Sequence, residues 1–379
     1  MVLKMEKPSR GKTPMAKYIE ENDSNGTINV KVVGVGNAGS NIITRIYGKI
    51  EGVKFVVLNT DVNALKYAKA DFKIQIGEKT THGRGTGTDP EKGKFAANED
   101  KEKITEALKN TNIVFLVAGL GGGTGTGSSP VIAKLAKDSG AIVISIVTTP
   151  FDFEGEKRIS YATNGISVLE ANVDTIIHIP NQKLYEIVEN NISMADAFGR
   201  IDERILNIIT ALSDLIYKPK LLDIDFADIC SVVENAGKGI VGLGYGKGEG
   251  RIENAARDTI NDPLIEKVDI MEAKNILISI TGSKDLSLKE FGEAMSIIQN
   301  RISSPSRKLG VTIDPALENE VKITLLATGI GSRQKEVPKK HITEVKKTEE
   351  ELPLTPNITE DEDIMDIPPS LRKKQGGLK

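Results

Sequence analysis

Cysteine, histidine and tryptophan are scarce in this sequence of 379 residues, which contains one cysteine, three histidines and no tryptophan. The single cysteine, Cys230, cannot form a disulfide within the chain, which excludes a small disulfide scaffold and is typical of a reducing compartment. The histidines, His82, His178 and His341, share no metal-ligand spacing. Their scatter argues against a zinc site and against histidine-based nucleophilic catalysis, so any chemistry must depend on other side chains.

Long apolar runs and an excess of positive charge are also lacking. The longest apolar run, residues 141–147, is far shorter than the roughly 20 residues that a membrane-spanning helix needs, and residues 1–18 contain no secretory hydrophobic block. We therefore expect a soluble cytoplasmic protein without direct membrane insertion. The formal net charge is −3 and no basic stripe is interleaved with aromatic residues, which argues against nucleic acid as a partner.

The two ends of the chain differ in composition from its middle. Residues 1–27 are polar, mixed in charge and without an apolar period, which predicts a disordered N-terminal arm. Residues 331–363 are charged and contain prolines, which predicts a disordered linker. Beyond the linker, residues 364–379 include the sequence DIPPSLRK (366–373), a short apolar and basic patch of the kind that docks on a partner protein.

The middle of the chain predicts two folded parts joined by a long helix. Strand-like apolar runs at 30–35, 53–58, 113–118, 141–147 and 175–179 alternate with helix-length segments, which indicates a doubly wound α/β domain over residues 28–192. Residues 193–219 predict a central helix that ends at Pro219, because apolar residues recur at helical spacing: Ile201, Ile205, Ile208, Leu212 and Leu215. Residues 220–330 predict a smaller α+β domain, with helices at 226–235, 249–261 and 286–301 and strands at 240–245, 275–280, 308–313 and 320–327.

A first glycine loop, GVGNAG at residues 34–39, follows a predicted strand and opens a helix, with Asp61 about 20 residues further along. This arrangement matches the sequence pattern of loops that bind dinucleotide cofactors in Rossmann folds. Backbone amides at a helix N-terminus, free of Cβ atoms, are suited to phosphate oxygens. Taken alone, the loop leaves open a dinucleotide cofactor, another phosphate ligand or only a tight turn.

A second glycine loop, GLGGGTGTG at residues 119–127, also stands at a strand end and opens a helix. We interpret Ser128 and Ser129 as helix caps and Pro130 as a first-turn residue. The loop is not a P-loop, because Ser128 stands where the lysine is needed. Phosphate charge must then be neutralised by amides, hydroxyls and a bound Mg²⁺.

These two loops carry a resemblance to a known family. The sequence GGGTGTG at 121–127 resembles the signature loop of the tubulin superfamily, and residues 34–41 resemble the first nucleotide loop of the FtsZ family. Further similar segments follow in the same order: TTPFDFEG (148–155), IPN (179–181), DAF (196–198), DFAD (225–228) and the tail at 366–373. The resemblance implies a Rossmann-like GTPase domain joined by a long central helix to a smaller α+β domain. It also implies a cytoplasmic GTP-dependent polymer that forms the cell-division (septal) ring.

The resemblance also implies a nucleotide-binding set. The first loop and the signature loop would hold GTP or GDP through Gly36, Asn37, Ala38, Gly39, Ser40, Asn41, Gly122, Gly123, Thr124, Gly125, Thr126 and Gly127. Beyond the loops, the nucleotide would contact Glu154 and Arg158 around the ribose, Asn181, Phe198 stacked on the base, and Asp202. Asp202 would accept from N1 and N2 of guanine, a donor pair that adenine lacks. The loop at 82–87 would cover the terminal phosphate, and Mg²⁺ would be bound through the phosphates rather than by a metal site of the protein.

The resemblance makes Asp225 and Asp228 the catalytic residues, and helix geometry suggests how they act. From Asp202 to Tyr217 a helix advances roughly 22 Å, at about 1.5 Å per residue, and both acids lie beyond that far end. They could therefore reach the γ-phosphate of a subunit stacked head to tail rather than their own, and such a heterologous contact builds a filament unless it closes a ring. Their role would be to polarise and orient the attacking water.

Two positions depart from the family pattern. Asp223 stands where an asparagine is usual and adds a third negative charge to the loop that contains Asp225 and Asp228, called the acidic loop below. Ser370 stands where a large apolar residue is common in the tail. We expect an altered turnover, and weaker or different docking of membrane-anchoring and regulatory division proteins on residues 364–374.

Two alternatives remain at this stage. A dinucleotide-dependent oxidoreductase would account for the first loop and Asp61 but not for the second loop or the acidic loop. A non-hydrolysing structural relative would bind nucleotide and form scaffolds, and the acidic loop argues against it.

Overall fold

The computed structural model describes residues 28–183, 192–218, 221–222, 224–262, 270–302 and 306–331. These residues belong to one unit that spans residues 1–333. The predicted arm at 1–27, the linker beyond residue 331, the tail peptide, Pro219 and the two departures at Asp223 and Ser370 lie outside the described residues.

The first half of the chain forms six parallel strands in the order β3-β2-β1-β4-β5-β6. All five predicted strands are present, and the sequence missed only the four-residue β3, whose residues are half-buried or exposed. This order is that of a doubly wound sheet, and it reverses between β1 and β4. The strands are β1 (Val30–Val35), β2 (Val53–Asn59), β3 (Phe72–Gln75), β4 (Ile113–Gly119), β5 (Ile142–Thr149) and β6 (Thr175–Pro180).

Helices cover both faces of this parallel sheet because alternate strand residues point to opposite faces. In β4, Ile113, Phe115 and Val117 pack in a core with one set of helices, whereas Val114, Leu116 and Ala118 pack in a second core. The helices of this half are α1 (Gly36–Ile46), α2 (Val62–Tyr67), α3 (Glu78–Thr81), α4 (Pro90–Glu99), α5 (Lys101–Leu108), α6 (Gly123–Asp138) and α7 (Glu156–Glu170).

The predicted central helix is confirmed as α8 (Met194–Tyr217), which is 24 residues long. It begins after Ser193, whose side chain accepts a hydrogen bond from the Asp196 amide, and it ends before Lys218. Its apolar stripe, which includes Ile201, Ile205 and Leu212, is buried in the same core as α1. The described helices include none that is long and apolar enough to cross a membrane.

The second half continues the same sheet. Strand β7 pairs in parallel with β6 and antiparallel with β10, so the ten-stranded order ends β6-β7-β10-β8-β9. A third core lies between these strands and two helices. The elements are α9 (Phe226–Val233), β7 (Gly237–Lys247), α10 (Arg251–Ile260), β8 (Asn275–Gly282), α11 (Leu288–Gln299), β9 (Ser306–Ile313) and β10 (Glu320–Ile330).

Candidate functional site

A cavity of about 500 Å³ lies at the carboxyl ends of the parallel strands, where the loops after β1 and β4 meet. This is the point at which the strand order reverses, the usual position of a ligand site in a doubly wound sheet. The loops after β2 and β5, residues 84–88, Asn181 after β6 and Phe198 near the start of α8 also line the cavity. The cavity therefore collects segments that are far apart in sequence at one edge of the sheet.

The first glycine loop brings three of its predicted residues, Asn37, Ala38 and Asn41, to the cavity. Helix α1 begins at Gly36 with no side-chain cap and no acidic residue in its first turn. The other three predicted residues of this loop support it from behind. Gly36 has a φ of +71°, and a Cβ on it would lie 2.9 Å from the Gly125 nitrogen. A Cβ on Gly39 would meet the Val117 carbonyl. The Ser40 hydroxyl donates a hydrogen bond to the Gly36 carbonyl.

The signature loop opens α6 directly, which corrects one prediction. The helix begins at Gly123, its N-cap is Gly122 and no side chain caps it, so Ser128 and Ser129 are not caps and Pro130 lies inside the helix. The two serine hydroxyls instead donate to the carbonyls of Gly93 and Gly125. The helix starts early because a backbone without Cβ atoms can coil tightly against its neighbours, and this leaves the first-turn amides uncapped at the cavity.

The alternation of glycine and threonine in this loop follows from packing. No side chain fits at the three glycines. A Cβ on Gly123 would lie 2.1 Å from Thr86 Oγ1, and a Cβ on Gly125 would lie 2.4 Å from the Gly119 carbonyl oxygen. A Cβ on Gly127 would lie 1.8 Å from the Pro90 carbonyl oxygen. The threonines between them differ in role. Thr124 lines the cavity and pairs with Thr60 at 2.7 Å, whereas Thr126 lies behind it and accepts from the Gly121 amide at 2.9 Å.

A third loop, residues 82–88, lies along the cavity; residues 82–87 of this loop are the ones predicted to cover the terminal phosphate. Its members Arg84, Gly85, Thr86, Gly87 and Thr88 line the cavity. The loop turns through left-handed conformations at His82, Gly83, Gly85, Gly87 and Thr88. Sequence reasoning named the loop but missed Thr86, whose position is evident only after the loop is folded against α6.

Glu154 and Arg158 line the cavity and are paired with each other. Arg158 donates to Glu154 Oε2 at 2.5 Å, and the Phe151 amide donates to Oε1 of the same carboxylate at 2.9 Å. Both oxygens of Glu154 are thus engaged, whereas the Arg158 side chain is 44% exposed. The pair follows from the i, i+4 spacing at the start of α7.

Asn181 and Phe198 line the cavity close to the start of α8. Asn181 is buried, and its Oδ1 has no hydrogen-bond partner among the described residues. A buried unsatisfied oxygen is costly, so it marks a place where a ligand donor fits. The Phe198 ring packs edge-on against Phe151, with ring centroids 5.8 Å apart.

Asp202 lies one turn beyond Phe198 on α8 and is not part of the cavity lining. It is buried, and the Arg45 guanidinium donates to its Oδ2. Burial raises the pKa of Asp202 above its ordinary value, while the hydrogen bond and charge of Arg45, with a smaller effect of Lys49, act in the opposite direction. A ligand donor at this position would share the carboxylate with Arg45.

The two predicted catalytic acids lie outside the cavity lining. Asp225 is the N-cap of α9 and accepts from the Asp228 amide at 2.6 Å. Asp228 Oδ1 pairs with Lys308 Nζ at 2.5 Å. The structure therefore separates the acidic loop from the residues predicted to bind nucleotide.

The charges of the cavity fit a phosphate ligand held mainly by dipoles. Among the residues that the structure describes, the charged members of the lining are Arg84, Arg158, Asp61 and Glu154, which balance in sign, and none is a lysine. Two uncapped helix N-termini supply the positive field instead, as anion sites at helix starts do. Asp61, which the dinucleotide alternative would place at a ribose, caps α2 by accepting from the Asn63 and Ala64 amides.

Comparison with known proteins identifies the class to which this fold and site belong. Residues 29–189 match the GTPase domain of the Tubulin/FtsZ family, and residues 237–331 match the C-terminal domain of the FtsZ family. The fold and site are thus those of a tubulin-like GTPase. The chain is also 41% identical over 306 residues to the cell division protein FtsZ of Pseudomonas putida, covering 80% of this chain and 77% of the relative. It therefore belongs to the FtsZ family.

Solved structures agree with this assignment. The chain resembles an empty FtsZ dimer of M. jannaschii with a TM-score of 0.73 and 42% identity, covering 80% of this chain and 88% of the other. It also resembles a GDP-bound CetZ1 monomer of Haloferax volcanii with a TM-score of 0.70, 22% identity and coverage of 82% and 96%, a likeness of fold alone. The predicted family, fold class and GTPase activity are confirmed, and a dinucleotide oxidoreductase is excluded.

Proposed function

We propose that this chain is a self-polymerising division GTPase whose hydrolytic site is completed by the acidic loop of the next subunit. The observation that carries the proposal is the separation of two sets of residues. The cavity contains glycine loops, an unsatisfied oxygen and an aromatic ring, but its lining includes neither Asp225 nor Asp228. From Phe198, in the lining, to Tyr217 the central helix advances roughly 28 Å, and the acidic loop begins beyond that end.

A head-to-tail stack of subunits would bring the cavity of one subunit together with Asp225 and Asp228 of the next. The loop that follows α8 in one subunit would meet the open cavity of the next, and repetition of this heterologous contact extends a filament. The FtsZ of M. jannaschii, to which the chain is similar, has been solved as a dimer, which supports self-association of this chain. Because phosphoryl transfer depends chiefly on positioning and charge stabilisation, Asp225 and Asp228 would orient the attacking water.

The cavity supports the predicted placement of GTP. The uncapped amides of Gly123, Thr124 and Gly125 and those that open α1 would hold phosphates. Phe198 would stack on the base, and Asn181 Oδ1 would accept a hydrogen bond from it. Asp202, which lies one turn beyond the lining, would accept from the base while it keeps its bond to Arg45.

Mg²⁺ fits the phosphate end of this arrangement. When bound through the phosphates it neutralises charge on the triphosphate. The lining oxygens that suit such a hard cation belong to Asp61, Thr86 and Thr124.

Two finer predictions concern location and partners. A filament of this family at the mid-cell division ring requires attachment to the membrane, and we assign that attachment to adaptor and regulatory division proteins that bind residues 364–374. The tail lies outside the described residues.

A complementation experiment tests the shared site. Asp228→Ala leaves the cavity intact but removes a catalytic acid. Gly122→Asp leaves the acidic loop intact but closes the phosphate site. Gly122 is the extended N-cap of α6, and a Cβ on it meets open space, so the larger side chain fits there. The aspartate would then cap the backbone amides that the phosphates need. We expect each variant alone to release phosphate at less than about a hundredth of the wild-type rate, and a mixture to recover activity, since one contact then combines an intact cavity with an intact loop.

The controls separate the possible causes of failure. Gly122→Ala adds a methyl group without a carboxylate and should retain nucleotide binding and turnover. Asp228→Ala should bind GTP with the wild-type affinity, measured by fluorescent-nucleotide titration. A mixture that releases no phosphate while both variants remain folded would refute the shared site. Full turnover by Asp228→Ala alone would show that Asp228 takes no part in catalysis.

A further inference from the structure

The acidic loop is fastened to β9, the strand at the outer edge of the sheet. The Leu221 amide donates to the Val311 carbonyl at 2.7 Å, and the Val311 amide donates to the Leu222 carbonyl at 3.1 Å. Ile224 packs over Gly310, where a Cβ would lie 2.6 Å from Ile224 Cδ1. Backbone and apolar contacts therefore fix the path of the loop as it approaches Asp225.

The same strand also contacts the catalytic end of the loop. Lys308 precedes Gly310 by two residues, so both side-chain positions are on one face of β9, the face that carries Ile224. From there Lys308 Nζ reaches Asp228 Oδ1 at 2.5 Å, across 80 residues of sequence. The side chains of Lys308 and Asp228 remain 35% and 29% exposed, so the pair lies at the surface. Under the proposed function, this part of the surface faces the neighbouring subunit.

We propose that Lys308 is a positioning residue of the shared hydrolytic site, an inference that rests on the proposed function. Its ammonium holds the Asp228 carboxylate in one orientation, which a water-orienting group needs. It also places a positive charge beside the acids that must approach the triphosphate of the next subunit. Like charges brought together at an interface oppose association, and a cation at hydrogen-bond distance reduces that repulsion.

If Lys308 served only to stabilise the fold, its substitution would lower stability rather than turnover. An ion pair that is about one third exposed contributes little to folding stability, so Lys308→Ala should fold. It should also keep the wild-type nucleotide affinity, because Lys308 is not in the cavity lining. The loss should appear in turnover at saturating GTP, with a decrease of about fivefold from the screened pair. Lys308→Arg keeps the charge and should restore part of the rate, although its planar fork differs in geometry.

The decisive test places Lys308→Ala on one or the other subunit of the complementing mixture. Active contacts in that mixture take the cavity from the Asp228→Ala subunit and the acidic loop from the Gly122→Asp subunit. Lys308→Ala should lower phosphate release about fivefold when it is carried by the Gly122→Asp subunit, and should have no effect when it is carried by the Asp228→Ala subunit. Lys247→Ala, which removes a comparable surface ion pair with Glu320 at 2.7 Å, is the matched control on either subunit and should have no effect.

The possible outcomes distinguish failure of the Lys308 assignment from failure of the proposed shared site. Equal effects from the two placements, or no effect from either, would overturn the role of Lys308 while the complementing mixture itself stays active. A mixture that is silent without any Lys308 substitution would instead overturn the shared site. A loss that Lys247→Ala reproduces would show that surface charge, rather than contact with Asp228, sets the rate, and this too would overturn the assignment.

Discussion

At the scale of single residues, Asp202 shows how burial and a partner determine the behaviour of one carboxylate. It is buried beside the cavity, the Arg45 guanidinium donates to it, and burial raises its pKa. A raised pKa means that the folded chain holds a proton more tightly than the unfolded chain does. The free energy of unfolding therefore falls as the pH rises from the ordinary Asp pKa of about 3.9 through the raised value.

Substitution of Asp202 and of Arg45 should have opposite effects on stability. Asp202→Asn removes the buried charge and leaves Arg45, whose side chain is 51% exposed, in water. We expect it to be at least as stable as the wild type at neutral pH and to lose the decrease in stability just above pH 4. Arg45→Ala leaves the carboxylate buried without its donor and should cost about 1–3 kcal/mol at neutral pH.

Denaturant unfolding between pH 4 and 8 measures both effects. The Lys49→Ala variant, which removes a more distant charge and no hydrogen bond to Asp202, provides the matched control. A marked destabilisation by Asp202→Asn at neutral pH would contradict the conclusion that burial dominates at this carboxylate.

At the scale of elements, the packing of α4 against α6 explains why the signature loop needs glycine at particular positions. A Cβ on Gly127 would lie 1.8 Å from the Pro90 carbonyl oxygen and 2.7 Å from the Lys94 nitrogen, both backbone atoms that cannot rotate away. A Cβ on Gly122, five residues earlier, would contact nothing within 4 Å. The two glycines therefore have different reasons to be present, the first structural and the second connected with the open cavity.

Alanine at these two positions should separate the reasons. Gly127→Ala must push α4 from α6 and should lower the free energy of unfolding by about 1–3 kcal/mol, as overpacking does. Gly122→Ala should change it by less than about 1 kcal/mol, the usual cost at an N-cap. Thermal and denaturant unfolding would measure both, and equal stabilities would contradict the close approach of the two helices.

Elements with a strong period were predictable, and contacts between distant segments were not. Val30–Val35 is a largely buried strand of valines interrupted only by Lys31 and Gly34, and the apolar stripe of α8 follows the helical period, so both were predicted almost to the residue. The four residues of β3 are too few to carry a period. The start of α6 was misplaced because Ser128 and Ser129 have the composition of caps, whereas the glycines before them form the first turn.

The candidate site divides in the same way. Glycine loops are local, so the sequence indicated residues of both glycine loops and of the loop at 82–88 that the structure brings to one cavity. The Arg45 to Asp202 pair spans 157 residues and the Lys308 to Asp228 pair spans 80, and no local pattern connects such partners. Asn181 was named by resemblance, but its unsatisfied oxygen became visible only after the surrounding chain was folded.

At the scale of the whole molecule, a shared site makes turnover depend on assembly. A subunit that holds GTP but lacks a neighbour would have neither of the proposed catalytic acids near its phosphate, because Asp225 and Asp228 lie beyond the far end of α8 and outside the cavity lining. Under the proposed function, each new head-to-tail contact completes one site. Hydrolysis would thereby be linked to filament growth.

The dependence of rate on concentration follows from this link. We expect phosphate release per subunit to rise with protein concentration and to level off once most subunits are in filaments, which light scattering or sedimentation measured in parallel would report. Addition of Asp228→Ala subunits to wild type at a fixed total concentration should lower the rate in proportion to the wild-type fraction. The substituted subunit keeps an intact cavity, which a wild-type loop can still complete, and its acid-deficient loop leaves one neighbouring cavity incomplete. A rate per subunit that stays constant from far below the assembly threshold to far above it would require a complete site in each monomer, and the acids would then have to reach the phosphate of their own chain.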